Sequence, residues 1–92
     1  MKVNFYATLR QVVGGKSVDF DLAKGATIAQ LLEEMIRRYP ALRQEMLNEQ
    51  NELYQHVHIF VNGRDVSFLE QKMDTPLTDD DTIGVFPAVG GG

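Results

Sequence analysis

One amphipathic helix, bounded by signals at both ends, most constrains the fold of this 92-residue chain. Thr27 is suited to cap its N-terminus, and Pro40 ends it, so that we expect Tyr39 to be its last residue. The apolar residues between them recur at the spacing of one helix face: Ile28, Leu31, Leu32, Met35, Ile36 and Tyr39. Such a stripe has to be buried, and the chain offers a β-sheet to bury it.

Two alternating runs before the helix predict an antiparallel β-hairpin. Residues 2–9 form the first run and residues 16–22 the second, with a turn at Gly14 and Gly15 between them. The apolar side chains expected to face the core are Val3, Phe5 and Ala7 in the first run and Val18, Phe20 and Leu22 in the second.

The pattern after the helix indicates a short helix with Leu42 and Met46 inward, then a loop, a strand, an irregular stretch and a last strand. These fall on residues 41–47, 48–55, 57–61, 66–73 and 82–86. Asn62 and Gly63 supply turn residues after the strand at 57–61. The order predicts one α+β domain with a mixed sheet of four or five strands, in which the first and last strands are central and parallel and the main helix covers one face.

The other face of this sheet is expected to be open, yet it carries aromatic side chains. Tyr6, Phe60 and Phe86 come from three neighbouring strands and share the outward parity. An exposed aromatic patch of this kind is typical of a partner-binding surface, and His58 lies beside it. The alternative is that one strand parity is misjudged or that the loop at 48–55 covers the sheet.

The sequence ends in three glycines, Gly90, Gly91 and Gly92. Glycine loses much backbone entropy when it is ordered, so this run stabilises a fold poorly. Without Cβ atoms it can thread through a narrow channel and leave the Gly92 carboxylate open to attack. Pro87 would stiffen the start of such an arm. The functional interpretation is a reactive C-terminus on a flexible arm, and the alternative is a frayed or engineered tail.

Composition excludes several classes of function. The net charge is -4 and the basic residues are scattered, so we expect no nucleic-acid partner and find a basic protein partner more natural. Without cysteine there are no disulfides, thiolate nucleophiles or zinc–cysteine sites, and any sulfur chemistry needs an external sulfur. No membrane span or leader is recognisable, and we expect a cytoplasmic protein with no membrane partner.

Two weaker features could suggest a cation site. His56 and His58 would share one strand face, but no cysteine or third ligand accompanies them. The acidic turn at 79–81 lacks the ligand spacing of a calcium loop. We therefore expect no metal site and interpret these residues as surface groups.

Several motifs together resemble the ubiquitin-like sulfur carriers. They are the opening strand at 2–10, the Val61-Asn62-Gly63 turn, the segment 75–83 and the closing Phe86-Pro87-Ala88-Val89-Gly90-Gly91-Gly92. The resemblance covers essentially the whole chain and is strongest to the small subunit of molybdopterin synthase (MoaD), with kinship to the thiamin sulfur carrier (ThiS) and the small archaeal modifiers. It implies a β-grasp (ubiquitin-like) domain at residues 1–89 and a flexible tail at 90–92.

Two positions relate the chain to the pattern of this family. Gly90 falls on the variable position before the terminal pair, so Gly91 and Gly92 are in register with the functional glycines. Asp80 stands where the family usually has a glycine, and aspartate tolerates a left-handed backbone moderately well.

The resemblance also implies that this chain has no catalytic residue and no bound cofactor of its own, and that its partners carry out the chemistry. A ubiquitin-activating-type adenylating enzyme would use ATP to join AMP to Gly92, and a sulfur donor protein would convert it to a thiocarboxylate. The tail, Gly90 to Gly92, would then enter the large subunit of molybdopterin synthase and deliver sulfur in molybdenum cofactor biosynthesis. Partner contacts would come from Tyr6, His58, Phe60, Phe86 and Pro87.

Two other functions are compatible with the same residues. The chain could be a ubiquitin-like protein modifier, or a sulfur donor for tRNA thiolation, using the same activated Gly92. It could also be a β-grasp interaction module whose tail is never activated. Both alternatives stay open at this point.

Overall fold

A computed structural model of the chain describes residues 1–87. The predicted glycine tail and reactive terminus, Gly90 to Gly92, therefore lie outside the described residues, as does the boundary placed at Val89. Within residues 1–87, five strands, β1 to β5, span Lys2–Phe5, Ser17–Asp19, His58–Val61, Arg64–Asp65 and Ile83–Phe86. The same part of the chain has three helices, α1 to α3, which span Leu9–Val13, Ile28–Arg38 and Leu42–Met46, and two 3₁₀ turns, which span Val66–Phe68 and Lys72–Asp74.

The five strands form one mixed sheet in the order β2-β1-β5-β3-β4. β1 and β5 run parallel, with Val3 opposite Ile83 and Phe5 opposite Val85. The other three pairings are antiparallel. The α+β prediction is confirmed, including the parallel pairing of the first and last strands inside the sheet.

The main helix α2 begins and ends at local signals in the sequence. The Thr27 Oγ1 atom accepts a hydrogen bond from the Gln30 N–H at 3.2 Å, and the Thr27 N–H donates to the Gln30 Oε1 at 2.8 Å. This capping box satisfies two backbone N–H groups at the helix start, those of Thr27 and Gln30. The last helical residue is Arg38, one residue earlier than predicted, and Tyr39 is the C-cap before Pro40.

The core lies between α2 and one face of the sheet, because helix and strand residues of the predicted inward parity are buried together. From α2 it includes Ile28, Leu31, Leu32 and Met35, and from the strands Val3, Phe5, Ile59, Val61, Ile83 and Val85. In α3, Leu42 and Met46 are fully buried, as the sequence predicts. Within the described part of the chain, no helix has the length and apolar content needed to cross a membrane.

The prediction of one strand over residues 2–9 is wrong, because β1 ends at Phe5. Ala7 has a φ of 54° and turns the chain, which leaves its side chain exposed rather than in the core. The helix α1 follows and buries Leu9 and Val13, which are four residues apart and so lie on the same face of a helical turn.

The predicted glycine turn has a different role from the one expected. Gly14 has a φ of 81° and is the C-cap of α1, with its N–H donating to the Arg10 carbonyl at 2.9 Å. A left-handed residue at this point is the usual end of a helix and favours glycine. The connection between β1 and β2 is therefore a helical turn, although the antiparallel pairing of the two strands is confirmed.

The β3–β4 turn forms as predicted. Asn62 and Gly63 both have positive φ, 53° and 83°, which is the type I′ geometry of a two-residue hairpin. The Asn62 side chain also reaches the acidic turn, where its Nδ2 donates to the Asp81 Oδ1 and its Oδ1 accepts from the Thr82 N–H, each at 2.9 Å. The hairpin is thus tied to the start of β5.

Candidate partner-binding surface

Tyr6, Phe60 and Phe86 lie together on the sheet face that α2 does not cover, and we call them the aromatic patch. The Tyr6 and Phe86 rings are stacked, with centroids 4.0 Å apart and planes 8° from parallel. Phe60 meets Phe86 edge-on, at 5.1 Å and 83°. These are the two favourable geometries of aromatic pairs, so the three rings form one preorganised surface.

The aromatic patch is accessible. All three rings are partly exposed, whereas their chain neighbours Phe5, Ile59 and Val85 are buried on the other face. The rings border a shallow hollow of about 260 Å³, whose other lining residues are Asn4, Gly63, Thr82 and Gly84. The predicted outward parity of Tyr6, Phe60 and Phe86 is therefore confirmed. The alternative was that the loop at 48–55 covers this face, and no residue of that loop lines the hollow.

Gly84 lies beneath the rings and was missed by the sequence reasoning. It sits opposite Phe60 in the β3–β5 register and opposite Asn4 in the β1–β5 register. A Cβ atom at this position would lie 3.2 Å from the Phe86 ring and 3.5 Å from the Tyr6 ring. Close approach of this kind is a common reason for glycine inside a strand. The presence of a glycine within the strand predicted at 82–86 was therefore the sequence signal that could have revealed it.

Arg10 borders the aromatic patch and was also missed. Its Nε donates to the Phe5 carbonyl at 2.8 Å, and its guanidinium carbon lies 5.2 Å from the centroid of the Tyr6 ring. This cation–π contact stabilises both side chains and places a positive charge at the border of the patch. No local sequence pattern predicts this contact of Arg10, since α1 itself was not predicted.

His58 lies beside the aromatic patch, as predicted, with its ring centroid 6.3 Å from that of Phe60. Its Nδ1 atom is 2.9 Å from the Asp65 Oδ2, across the β3–β4 hairpin. A carboxylate only accepts hydrogen bonds, so Nδ1 carries the hydrogen in this pair and Nε2 is left available to a partner.

The Asp65 carboxyl is ionised at neutral pH. Burial raises its pKa, but hydrogen bonds from the Ser67 N–H, the Ser67 hydroxyl and His58 outweigh that effect and hold the pKa below its ordinary value of 3.8. The two bonds from Ser67 are both 2.9 Å long and also cap the first 3₁₀ turn. Asp65 therefore fixes both the turn and the orientation of His58.

The remaining predicted site residues are Pro87 and the three terminal glycines. Pro87 is partly buried and follows Phe86 directly, where β5 ends. Gly90, Gly91 and Gly92 lie outside the described residues.

His56 and His58 have different neighbours, because His56 stacks on Tyr54, with ring centroids 5.0 Å apart. Among residues 1–87 no group of three or more His, Cys, Asp or Glu side chains could hold a metal ion.

Comparison with known proteins identifies the family. The sequence model of the ThiS family matches residues 3–92. The chain belongs to the ThiS family. The predicted membership of the ubiquitin-like sulfur carriers is therefore confirmed, and the match extends through the aromatic patch and the terminal glycines.

Relatives of this ThiS-family chain cover nearly its full length. Small archaeal modifier protein 3 of Haloferax volcanii is 37% identical over 92 residues, which are 100% of this chain and 98% of the relative. Sulfur carrier protein CysO of Mycobacterium tuberculosis is 30% identical over 93 residues, covering 98% of this chain and 96% of CysO. The chain is thus similar both to modifiers and to sulfur carriers.

Solved structures show the same fold. SAMP1 from Haloferax volcanii superposes with a TM-score of 0.85 at 26% identity, over 99% of this chain and 97% of SAMP1. CysO of Amycolatopsis orientalis, solved in a complex with BexX, matches with a TM-score of 0.78 at 32% identity, over 99% of this chain and 98% of that chain. The predicted β-grasp, ubiquitin-like fold is confirmed, and the protein is a ubiquitin-like sulfur carrier or modifier.

Proposed function

We propose that this protein is a small ubiquitin-like modifier that also carries sulfur, with the Gly92 carboxylate as the group that is activated. The likeness to small archaeal modifier protein 3 along the whole chain is the observation that carries this proposal. It favours the modifier function over the role predicted first from the sequence, which was the small subunit of molybdopterin synthase.

The chemistry of the proposal begins with activation, because an ionised carboxylate is a poor electrophile. A Gly92 oxygen attacks the α-phosphorus of ATP held by a ubiquitin-activating-type enzyme, pyrophosphate leaves, and an acyl adenylate forms. A persulfide on a donor protein can then displace AMP to form an acyl disulfide, and a second thiol reduces its S–S bond to release the thiocarboxylate while forming a disulfide with the donor. Alternatively, a lysine amine of a target protein can attack the acyl adenylate, lose a proton, expel AMP and form an isopeptide bond.

In this proposal the aromatic patch is the surface on which the activating enzyme docks. The aromatic patch offers three rings that are already packed against one another, so little side-chain entropy is lost when a partner covers them. Phe86 belongs both to this patch and to the last strand, with Pro87 next in the chain. A partner bound at the patch would therefore hold the chain immediately before the residues that it activates.

The second candidate is sulfur delivery to molybdopterin synthase, or to tRNA thiolation, through the same terminus. The large subunit of molybdopterin synthase would then bind the aromatic patch in place of a conjugation enzyme. This candidate shares the adenylation step and the sulfur donor with the first. The two differ in the acceptor, which is a small molecule or a tRNA in one case and a protein lysine in the other.

One experiment tests activation and separates these functions. The purified chain is incubated with a ubiquitin-activating-type enzyme and ATP, and pyrophosphate release and the intact mass of the chain are measured. Conjugates formed in cells are then digested with trypsin. Since Lys72 is the last basic residue, a modified lysine would carry residues 73–92 as its remnant.

The outcomes are distinct. Remnants on lysines support the modifier function. A thiocarboxylate without conjugates, together with a copurifying molybdopterin synthase large subunit, favours the second candidate instead. No pyrophosphate release with any activating enzyme of the source organism overturns both and leaves a β-grasp interaction module.

A further inference from the structure

Arg10 differs from every other Lys and Arg side chain of this protein in its burial. The chain has nine such residues, and all of them lie within residues 1–87. Eight are exposed, whereas Arg10 is partly buried at the border of the aromatic patch. A charged group that has lost part of its hydration needs hydrogen bonds or an opposite charge in return. The contacts of Arg10 therefore decide what else it can bind.

These contacts orient the guanidinium of Arg10 but leave most of its donors unused. The Nε–H donates to the Phe5 carbonyl at 2.8 Å, and the guanidinium carbon lies 5.2 Å from the centroid of the Tyr6 ring. The cation–π contact is electrostatic and occupies no N–H group. Among residues 1–87 the Phe5 carbonyl is the only hydrogen-bond acceptor found for Arg10. Its two Nη atoms are thus available to donate in parallel to both oxygens of a carboxylate.

No acidic side chain of the described chain offsets the charge of Arg10. Residues 1–18, which include β1 and α1, contain Lys2, Arg10 and Lys16 but no Asp or Glu. The helix α3 packs against α1 and carries Glu45, yet no ion pair joins Glu45 to Arg10. The hollow bordered by the aromatic rings has no acidic residue in its lining. A carboxylate that pairs with Arg10 therefore has to come from a partner.

The carboxylates on the open face of the sheet have other neighbours. Asp65 accepts hydrogen bonds from Ser67 and lies against His58. Asp19, on the edge strand β2, is opposite Lys2 at the start of β1. The aromatic patch thus has one oriented cation at its border, and it complements a partner surface that combines apolar side chains with a single carboxylate.

We propose that Arg10 determines which partner the aromatic patch accepts, by pairing with an Asp or Glu of the activating enzyme that docks there. This inference rests on the proposed function, since it concerns the enzyme that activates Gly92. Apolar side chains of the enzyme cover Tyr6, Phe60 and Phe86, while its carboxylate accepts hydrogen bonds from both Nη atoms of Arg10. Arg10 contributes to binding and takes no part in the chemical step.

The position of Arg10 makes this ion pair selective. Docking removes the pair from water, where its attraction is stronger than that of an exposed pair. A partner that covers the patch without a carboxylate would instead bury the guanidinium unpaired, at a cost in binding free energy. Arg10 therefore favours the correct partner and disfavours other apolar surfaces.

Activation kinetics at low and high salt test this role. Pyrophosphate release by the activating enzyme with ATP is measured against the concentration of the full-length chain, for the wild type, Arg10→Gln and Arg10→Lys. We expect Arg10→Gln to raise KM about tenfold with kcat unchanged, because the ion pair is present in the bound substrate and in the transition state alike. Arg10→Lys keeps the charge without the paired donors and should recover part of the loss. The difference between wild type and Arg10→Gln should shrink in about 1 M salt.

Arg64→Gln is the matched control for the loss of charge. Arg64 is exposed on β4 and lies opposite Val61, whose side chain is buried on the core face, so Arg64 points away from the aromatic patch. Its replacement should leave KM unchanged. NMR spectra of Arg10→Gln check that Tyr6 and Phe86 still stack.

A charge-reversal scan of the activating enzyme identifies the carboxylate. Each Asp and Glu of the enzyme is replaced in turn with Arg, and each enzyme variant is assayed with Arg10→Glu, which the unmodified enzyme should activate poorly. We expect one replacement to restore activation of Arg10→Glu and to impair that of the wild-type chain. The same replacement should not restore Phe60→Ala, which lacks an apolar contact rather than a charge.

Three results would overturn this inference while leaving the proposed function intact. They are equal KM values for wild type and Arg10→Gln, a difference in KM that salt leaves unchanged, and a scan in which no replacement restores Arg10→Glu. The second result would make Arg10 only a support for Tyr6. A wild-type chain that releases no pyrophosphate would overturn the proposed function, and this inference with it.

Discussion

The Nδ1 atom of His58 and the Oδ2 atom of Asp65 lie 2.9 Å apart and join the two strands of the β3–β4 hairpin. Asp65 also accepts two hydrogen bonds from Ser67. An Asp65→Ala variant loses all of these acceptors, so we expect its free energy of unfolding at pH 7 to fall by about 1 kcal/mol. Urea unfolding monitored by circular dichroism measures this difference.

The effect of Asp65 should depend on pH in a defined direction. Its pKa is lower in the folded protein than its ordinary value of 3.8, so its contribution to stability is complete above that value and is lost as the pH falls through the folded pKa. The difference between wild type and Asp65→Ala should therefore be constant from pH 7 to about pH 5 and shrink in stronger acid. Asp79→Ala, at an exposed position, is the control. A difference that persists undiminished at low pH would contradict this assignment.

Phe60 should contribute to partner binding more than to stability. Replacing it with Asp places a charge inside the aromatic patch, and we expect affinity for the adenylating enzyme to fall by about 30-fold or more. The loss of its edge-on contact with Phe86 should cost about 1 kcal/mol of stability. Calorimetric titration and thermal unfolding measure the two effects.

Phe68→Asp is the matched control for this substitution. Phe68 is also an aromatic residue but is 74% exposed on the first 3₁₀ turn, outside the patch. Its replacement should leave the affinity unchanged. Equal losses of affinity in the two variants would place the partner elsewhere.

Gly84 should be sensitive to a single added methyl group. The Cβ of Gly84→Ala would lie 3.2 Å from the Phe86 ring, which then has to move away from Tyr6. We expect this overpacking to destabilise the protein by about 1 kcal/mol and to change the ring-current shifts of Tyr6 in NMR spectra. Gly15→Ala is the control, because the nearest atom there is 4.0 Å from the added Cβ. Unchanged Tyr6 signals in Gly84→Ala would show that the rings do not depend on this glycine.

Deletion of Gly92 should separate folding from function. Among residues 1–87 the buried core residues lie between Val3 and Val85, so we expect the melting temperature to be unchanged. Pyrophosphate release with an activating enzyme should be abolished, because the carboxylate of Gly91 would then end an arm that is one residue shorter, about 3.3 Å when extended. Gly90→Ser changes the family's variable position and should stay active. Continued activation of the deleted chain would contradict the role proposed for Gly92.

Local signals in the sequence were enough to predict α2 and the faces of the strands. Thr27 and Pro40 bound a helix long enough for its period to be unambiguous. The alternation of apolar residues placed Tyr6, Phe60 and Phe86 on one face, because a strand of known parity allows only two faces. The prediction of a joint aromatic patch then followed from the order of the strands.

The parts that were missed depend on short elements and long-range register. The helix α1 has five residues, too few for the spacing of Leu9 and Val13 to be distinguished from strand alternation. Ala7 gives no sign in the sequence of its left-handed backbone. The roles of Arg10 and Gly84 arise only once distant strands are paired, and a local pattern cannot contain that information.

The central position of β5 has a mechanical consequence. This strand is hydrogen-bonded to β1 on one side and to β3 on the other, and it is the last strand of the described chain. A force applied beyond Pro87 therefore loads two ladders of hydrogen bonds at the same time. We expect the domain to resist unfolding by a force applied at that end. An unfoldase pulling there would need its largest force at the first step, the extraction of β5. The edge strand β2, paired on one side, would peel away under a smaller load.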